Sequence, residues 1–222
     1  MSEPYYTDGK VTLYNGDCRE ITEWLAADVL VTDPPYGIGY ESNVNRDRRN
    51  TKLGLPIGGD DNLEARDRTI ARWAGRPALV FGRWDSERPA GTRCRLVWDK
   101  GNSPGMGDLS IPWGRSDEEI YVLGTGFTGT RSGSVLRCQM HMSPSRSRPD
   151  HPTPKPVQLM ESLILKCPPG TVADPFAGSG STLIAARNLG RRAIGVEIDE
   201  RYCEMTAKRL AQDVLDFNQE PA

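Results

Sequence analysis

Val29-Leu30-Val31-Thr32-Asp33-Pro34-Pro35-Tyr36-Gly37 decides how the chain is read. Its first four residues are an apolar, β-branched run, the mark of a buried strand. Asp33-Pro34-Pro35 stops that strand, because proline has no N–H to donate to a central ladder and its ring fixes φ. Asp33 and Pro34 each stand before a proline and are driven toward extended backbone. The product is a stiff corner at the carboxyl end of a strand, the place where open α/β sheets bind ligands. One carboxylate enters the corner and one aromatic ring leaves it.

Such a corner holds a cluster of hydrogen-bond acceptors beside a flat apolar face. It suits an exocyclic amino group on a planar heterocycle, with acceptors for the N–H bonds and a surface for the ring. Acceptors on the amino group of adenine or cytosine favour a more tetrahedral nitrogen and draw off the positive charge that develops when it attacks. For this stretch alone the bland alternative stays open: a strand ending in a Pro-Pro turn with a solvated Asp.

A second stretch lies near the other end. Thr171-Val172-Ala173-Asp174 reads as a strand, and Pro175-Phe176-Ala177-Gly178-Ser179-Gly180-Ser181-Thr182 as a glycine turn opening a helix over 183–189. Ala193-Ile194-Gly195-Val196 reads as the next strand, running into Glu197. Strand, Gly-x-Gly turn, helix, strand and acid make the nucleotide-binding half of a doubly wound sheet, with the acid placed for a ribose diol. Leu183 stands where a third glycine would, and no Lys follows the turn as in a phosphate-gripping loop. The pattern therefore fits a nucleoside cofactor without a pyrophosphate.

Between and around these stretches the chain alternates strands and helices. Val11-Thr12-Leu13-Tyr14 is a strand ending at Asn15-Gly16-Asp17, and Asp17 with Glu20 suits the cap of a helix carrying Ile21, Trp24 and Leu25. Leu63, Ile70, Trp73 and Ala74 mark a further helix with Gly75 as its stop. Ala78-Leu79-Val80-Phe81, then Arg95-Leu96-Val97-Trp98-Asp99-Lys100 and Glu119-Ile120-Tyr121-Val122-Leu123, add three strands. The last two read as an antiparallel pair, because their Gly-, Pro- and Ser-rich link has no helical period. Pro156 opens a helix with Leu159, Met160, Leu163 and Ile164 on one side, ended by Pro168-Pro169-Gly170, and a last amphipathic helix runs through Tyr202, Met205, Leu210 and Leu215.

Two stretches lack periodicity. Residues 37–61 carry Arg46, Arg48, Arg49 and Lys52 directly after the acidic corner and read as a mobile flap that meets phosphates. Residues 124–151 are rich in Gly, Ser and Arg and form a second basic stretch. Cys138-x-x-His141 with His151 has no matched second pair of ligands, so no metal site is expected.

With 222 residues the chain has room for one domain with a substantial core. A formal net charge of −2 gives no global basic field, so an anionic partner is met by local patches. Five scattered cysteines without a C-x-x-C point to reduced thiols and a cytoplasmic location. Met1-Ser2-Glu3-Pro4 has neither the basic nor the apolar region of a signal peptide, and no apolar run is long enough to cross a membrane.

Taken together, Asp33-Pro34-Pro35-Tyr36, Asp174-Pro175-Phe176-Ala177-Gly178-Ser179-Gly180 and Thr153-Pro154-Lys155-Pro156 resemble the amino-group DNA methyltransferases, which modify adenine N6 or cytosine N4 with S-adenosylmethionine. Their order, catalytic corner first and cofactor loop last, is similar to the circularly permuted β subgroup. Asn15-Gly16-Asp17-Cys18 resembles that group's contact to the cofactor's adenine. The resemblance covers roughly residues 10–210. It implies a doubly wound, mostly parallel α/β sheet of seven strands with one antiparallel, in a single methyltransferase domain. The strand at 171–174 would then be central, beside that at 29–32.

The resemblance assigns catalysis to Asp33, Pro34, Pro35 and Tyr36. It assigns the cofactor to Asp174, Phe176, Ala177, Gly178, Ser179, Gly180, Ser181, Thr182, Glu197 and Ile198, with Asp17, Cys18, Asp33 and Lys155 closing the site. Tyr36 would stack on a base flipped from double-stranded DNA while Asp33 and the Pro34 carbonyl accept from its amino group. Asp at the first motif position leans to adenine, with cytosine N4 or an RNA adenine as alternatives. Residues 124–151 would be a short target-recognition insert. A homodimer is expected by analogy, and no cognate restriction nuclease is legible. Asp117-Glu118-Glu119 departs from the family's usual His-Glu pair, which leaves the role of that position open. A DNA-binding protein with a decayed site and a nicotinamide oxidoreductase are the rival classes. The first leaves two intact motifs idle, and the second leaves Asp-Pro-Pro-Tyr unexplained.

Overall fold

A computed structural model describes residues 2–37, 62–101, 110–138 and 154–216, with side chains to 212. Apart from Gly37, the flap of 37–61 lies outside these residues, as do 139–151 of the recognition insert with His141 and His151.

The described residues form one nine-stranded sheet. Its strands are β1 (Tyr6–Thr7), β2 (Val11–Asn15), β3 (Val29–Thr32), β4 (Ala78–Gly82), β5 (Thr92–Asp99), β6 (Asp117–Leu123), β7 (Val135–Arg137), β8 (Val172–Asp174) and β9 (Ala193–Glu197). They lie in the order β1-β2-β9-β8-β3-β4-β6-β5-β7. All seven expected strands are present, β8 sits beside β3, and β5 and β6 pair antiparallel. The sheet exceeds the expectation by two short edge strands. One of them, β1, pairs antiparallel with β2, so two strands rather than one run against the rest. Strands of two or three residues are too short to leave a period in the sequence.

Side chains alternate across the sheet as the pleat requires. Val29 and Val31 of β3, with Leu79 and Phe81 of β4, face a layer built by α2 (Val157–Ile164), α3 (Ser181–Asn188) and α4 (Glu200–Asp216). Leu30, Ala78 and Val80 face the other way, onto Trp24 and α1 (Glu64–Trp73). The result is a three-layer α/β/α domain. All four residues of β3 are buried, which is why its sequence is a continuous apolar run rather than an alternation.

The expected helix after Asp17 is reduced to a 3-10 turn, Glu23–Ala26. The cause is local. The Cys18 carbonyl, which a continuing helix would offer to the Thr22 N–H, instead accepts from the buried Trp24 indole at 3.0 Å. The Thr22 N–H turns to the Glu23 carboxylate at 3.0 Å. The Asp17 carboxylate does cap the bend, on the Arg19 backbone N–H at 2.8 Å and on the Arg19 guanidinium, so Arg19 rather than Glu20 is its partner. Helix α1 ends as its sequence suggests, with Ala74 and Gly75 both at positive φ. Helix α2 stops at Ile164, before the prolines.

Trp73 closes the α1 face. It stacks on Trp24 with ring centroids 5.9 Å apart, its indole donates to the Pro77 carbonyl at 2.9 Å, and the Arg76 guanidinium lies 3.8 Å over its ring. Trp73→Ala leaves a cavity in this layer and is expected to cost about 3–5 kcal/mol, read as a lower urea midpoint with an unchanged slope.

Candidate active site and cofactor cradle

Four adjacent strands, β2, β9, β8 and β3, run parallel, and each delivers an acid at its carboxyl end. The acids are Asp17 just past β2, Glu197 ending β9, Asp174 ending β8 and Asp33 just past β3. The row lies along one rim of the sheet, where this architecture places its crevice. The corner after β3 and the glycine turn after β8 therefore share one crevice. The Thr32 hydroxyl ties them directly, donating to Asp174 Oδ1 at 2.7 Å.

Asp33 is held from two sides. The Tyr36 hydroxyl donates to its Oδ1 at 2.5 Å, and the Lys155 ammonium pairs with its Oδ2. Lys155 reaches the corner because 154–156 run extended into α2, with Pro156 at φ −60° and ψ 129°. The Lys155 side chain is 7% exposed. Its ammonium lies 5.1 Å from the Phe81 ring centre and 5.9 Å from that of Tyr36. Burial alone would lower its pKa, but the carboxylates of Asp33 and Glu118 outweigh burial and hold it above the usual lysine value. Burial, with Asp33 and Glu118 beside it, pushes the Tyr36 phenol well up, so the hydroxyl stays a donor.

Glu118 is the site residue that the sequence did not assign. It is the second residue of β6, beside the corner, with one carboxylate oxygen 2.6 Å from the Lys100 ammonium and the other 3.1 Å from that of Lys155. That second oxygen, Oε2, is fully buried and accepts no hydrogen bond among the described residues; the Lys155 contact is an ion pair off the hydrogen-bonding angle. Burial alone would raise the Glu118 pKa, yet Lys155 and Lys100 bring it below the ordinary glutamate value. The signal in the sequence was a run of three acids, and nothing in the run says which one meets Lys155.

The turn after β8 is shaped for close approach. Gly178 and Gly180 have φ +50° and +78°. A Cβ at Gly180 would stand 2.4 Å from Thr206 Cγ2 of α4, so only glycine fits there. The Gly178 N–H donates to Glu197 Oε2 at 2.7 Å, and the Asp199 N–H to Oε1 at 2.9 Å. Each oxygen keeps a lone pair, enough for a pair of ribose hydroxyls. Ser181 and Thr182 form the first turn of α3, Ser179 and Ala177 are buried beneath the turn, and Phe176 packs at its edge. Cys18 is buried against Thr69, and Ile198 is exposed next to Glu197.

Burial raises Asp174 to about 6, opposed by the hydroxyls of Thr182 and Thr32 and the Phe176 N–H. Burial raises Glu197 to about 7, opposed by the N–H groups of Asp199 and Gly178 and reinforced by the charges of Asp199 and Asp174. Two desolvated acids on neighbouring strand ends suit a cationic nucleoside. S-adenosylmethionine, with its sulfonium and ribose, has that chemistry, and the residues present fit it.

This fold with this cradle defines a class I S-adenosylmethionine-dependent methyltransferase. Residues 61–208 match the N6/N4 methyltransferase family, described as DNA methylase, and the chain belongs to that family of amino-group DNA methyltransferases. It is 40% identical over 258 residues to the type II methyltransferase M2.LlaDCHI of Lactococcus lactis subsp. cremoris, covering 95% of this chain and 93% of that one. Two solved structures share the fold. The M1.HpyAVI complex with S-adenosylmethionine has a TM-score of 0.61 at 23% identity, covering 90% of this chain and 99% of that one. The cytosine-N4-specific PvuII DNA methyltransferase has a TM-score of 0.62 at 16% identity, covering 93% and 88%.

The Glu197 value sets a pH dependence for the cofactor. An ionised carboxylate at this position can accept two ribose hydroxyls, and a protonated one loses an acceptor. S-adenosylmethionine affinity is therefore expected to fall up to about tenfold per unit as pH drops below about 7. Calorimetry between pH 5.5 and 8.5 reads this, and Glu197→Gln should bind weakly with a flatter profile.

Proposed function

We propose that this enzyme methylates adenine N6 in double-stranded DNA, acting on a base turned out of the helix into the crevice beside Tyr36. The observation that carries the reading is the placement of the Asp33 corner and the Gly178 turn on neighbouring strands, joined through Thr32 and Asp174. The cofactor, when bound, supplies an electrophilic methyl group on a sulfonium. Asp33 and the Pro34 carbonyl accept from the target amino group, and Tyr36 offers its ring to the base. Pro34 and Pro35 stiffen the backbone that carries these acceptors, and Tyr36 and Lys155 hold the Asp33 carboxylate, so alignment for an in-line attack is built into the chain. No covalent intermediate on the protein is needed. Glu197 holds the ribose, the turn from Asp174 through Thr182 carries the rest of the cofactor, and Asp17, Cys18 and Ile198 flank its base. The chain order, corner before turn, fits the permuted subgroup. Asp as the first residue of the corner favours adenine over cytosine N4. None of the five cysteines is in a disulfide, and no helix among the described residues is long and apolar enough to cross a membrane, which suits an enzyme working on cytoplasmic DNA.

Methylome sequencing of cells expressing the protein, beside an Asp33→Ala control, tests the reading. The expected result is N6-methyladenine in one sequence context, with in vitro activity reduced about 100-fold or more in the control. Cytosine marks overturn the base assignment, and preference for single-stranded RNA overturns the substrate.

The rim next to the corner carries exposed aromatic residues and arginines that suit a nucleic-acid contact. Trp84 and Trp113 are 66% and 78% exposed, and Asp85 links Arg83 at 2.8 Å with Arg115 at 3.7 Å. Arg115 also lies 5.9 Å over the Trp84 ring, and Arg83 acts electrostatically on Tyr36. Trp84→Ala with Trp113→Ala should raise the KM for duplex DNA roughly 5- to 50-fold and leave cofactor affinity unchanged in calorimetry.

A further inference from the structure

We propose that Glu118 is a positioning residue for methyl transfer, holding the Lys155 ammonium against Asp33 and thereby fixing the carboxylate that receives the target amino group. The proposal deepens the adenine-methylation reading and rests on it. Four charged groups stand in alternating order from the corner outward: Asp33, Lys155, Glu118 and Lys100. Their side chains grow no more exposed than 29%, and Lys155 and Glu118, at 7% and 14%, are the inner pair. A buried ammonium is tolerated only where charge of opposite sign compensates it. Lys155 has two carboxylates and two aromatic rings around it, from three separate elements: the corner, β4 and β6.

Asp33 is free to rotate about its side chain unless something holds it. Lys155 takes Oδ2 and the Tyr36 hydroxyl takes Oδ1, which sets the carboxylate plane. Glu118 touches neither Asp33 nor Tyr36 by hydrogen bond; its charge bears on the Tyr36 phenol, and its contact with Asp33 runs through Lys155. Remove its charge, and Lys155 keeps a single carboxylate while Lys100 loses its partner at 2.6 Å. The ammonium then has less reason to stay buried, and Asp33 loses its anchor. The neighbouring Glu119 does other work, accepting from the Tyr121 hydroxyl at 2.7 Å and from Arg95 at 2.8 Å, so the two acids of this pair are not interchangeable.

The experiment compares wild type, Glu118→Gln, Lys155→Met and the double variant in steady-state methylation of duplex DNA. Calorimetry with S-adenosylmethionine and thermal melting run in parallel. Acylation of Lys155 by an amine-reactive reagent at pH 9 is followed by peptide mass spectrometry, with exposed Lys208 as the internal standard. Glu118→Gln is expected to lower kcat about 10- to 100-fold, keep cofactor affinity within about twofold, and label Lys155 several-fold faster with Lys208 unchanged. In the Lys155→Met background it should change kcat less than about threefold. A Glu118→Gln kcat within twofold of wild type, losses that multiply in the double variant, or unchanged Lys155 labelling each overturn the proposal. Should Lys155→Met fail to fold, Glu118→Asp replaces it: partial recovery of kcat and slow labelling support the proposal, and a kcat equal to that of Glu118→Gln overturns it. A wild type that transfers no methyl group to DNA overturns the adenine-methylation reading and this role with it, while the labelling result separately decides whether Glu118 holds Lys155.

Discussion

The parallel pairing of β3 with β8 is the constraint on which the site depends. Two segments more than 140 residues apart in the chain meet because Val29 and Leu30 pair with Val172 and Ala173 in the middle of the sheet. Both strands are wholly buried, so a one-residue slip would turn their core sets to the wrong face. Register is therefore fixed by packing, and it sets the distance between the acidic corner and the glycine turn. The Thr32–Asp174 hydrogen bond adds a lock at the point where the strands end. Chemistry that needs a donor and an acceptor in line demands this kind of rigid spacing, and strands supply it better than loops.

The segments that do chemistry were legible because each breaks a local rule for a stated reason. A buried strand cut short by Pro34 and Pro35, and a turn with glycines at 178 and 180, are patterns that folding alone has little use for. Seven strands were readable from apolar runs. The helix after Asp17 was not, because Ile21, Trp24 and Leu25 have helical spacing while the deciding bond, Trp24 to the Cys18 carbonyl, is tertiary. Glu118 escaped for the same kind of reason. Its neighbours Asp117 and Glu119 have the same chemistry on paper, and only the pleat of β6 and the approach of Lys155 from another part of the chain single it out. Lys155 was readable only through its motif, and the identity of its two partners came from the fold.

Electrostatically the crevice has two halves with opposite logic. On the Asp33 side every buried charge meets a partner: Lys155 is raised and Glu118 lowered, so both ionised forms are favoured. On the cofactor side Asp174 and Glu197 are desolvated and face other acids, with only N–H groups and hydroxyls to compensate. The first half is complete without a ligand. Among the described residues no cation pairs with the two acids of the second half, and a sulfonium nucleoside would bring one.

That asymmetry bears on stability. Glu197 and Asp174 titrate near 7 and 6 in the folded chain, above their ordinary 4.5 and 3.8. A raised acid binds its proton more tightly folded than unfolded, so its contribution is fullest below the unfolded value and is lost as pH rises through the folded one. Between about pH 4 and 7 these two groups thus oppose folding progressively, while Glu118, lowered by its lysines, contributes in the other direction at the acid end of the range. At neutral pH the two carboxylates are ionised against desolvation, a cost that a bound cation would offset. A cofactor bound there as proposed would link its affinity to stability through the same two carboxylates, with some unliganded stability given up for a site already shaped and charged.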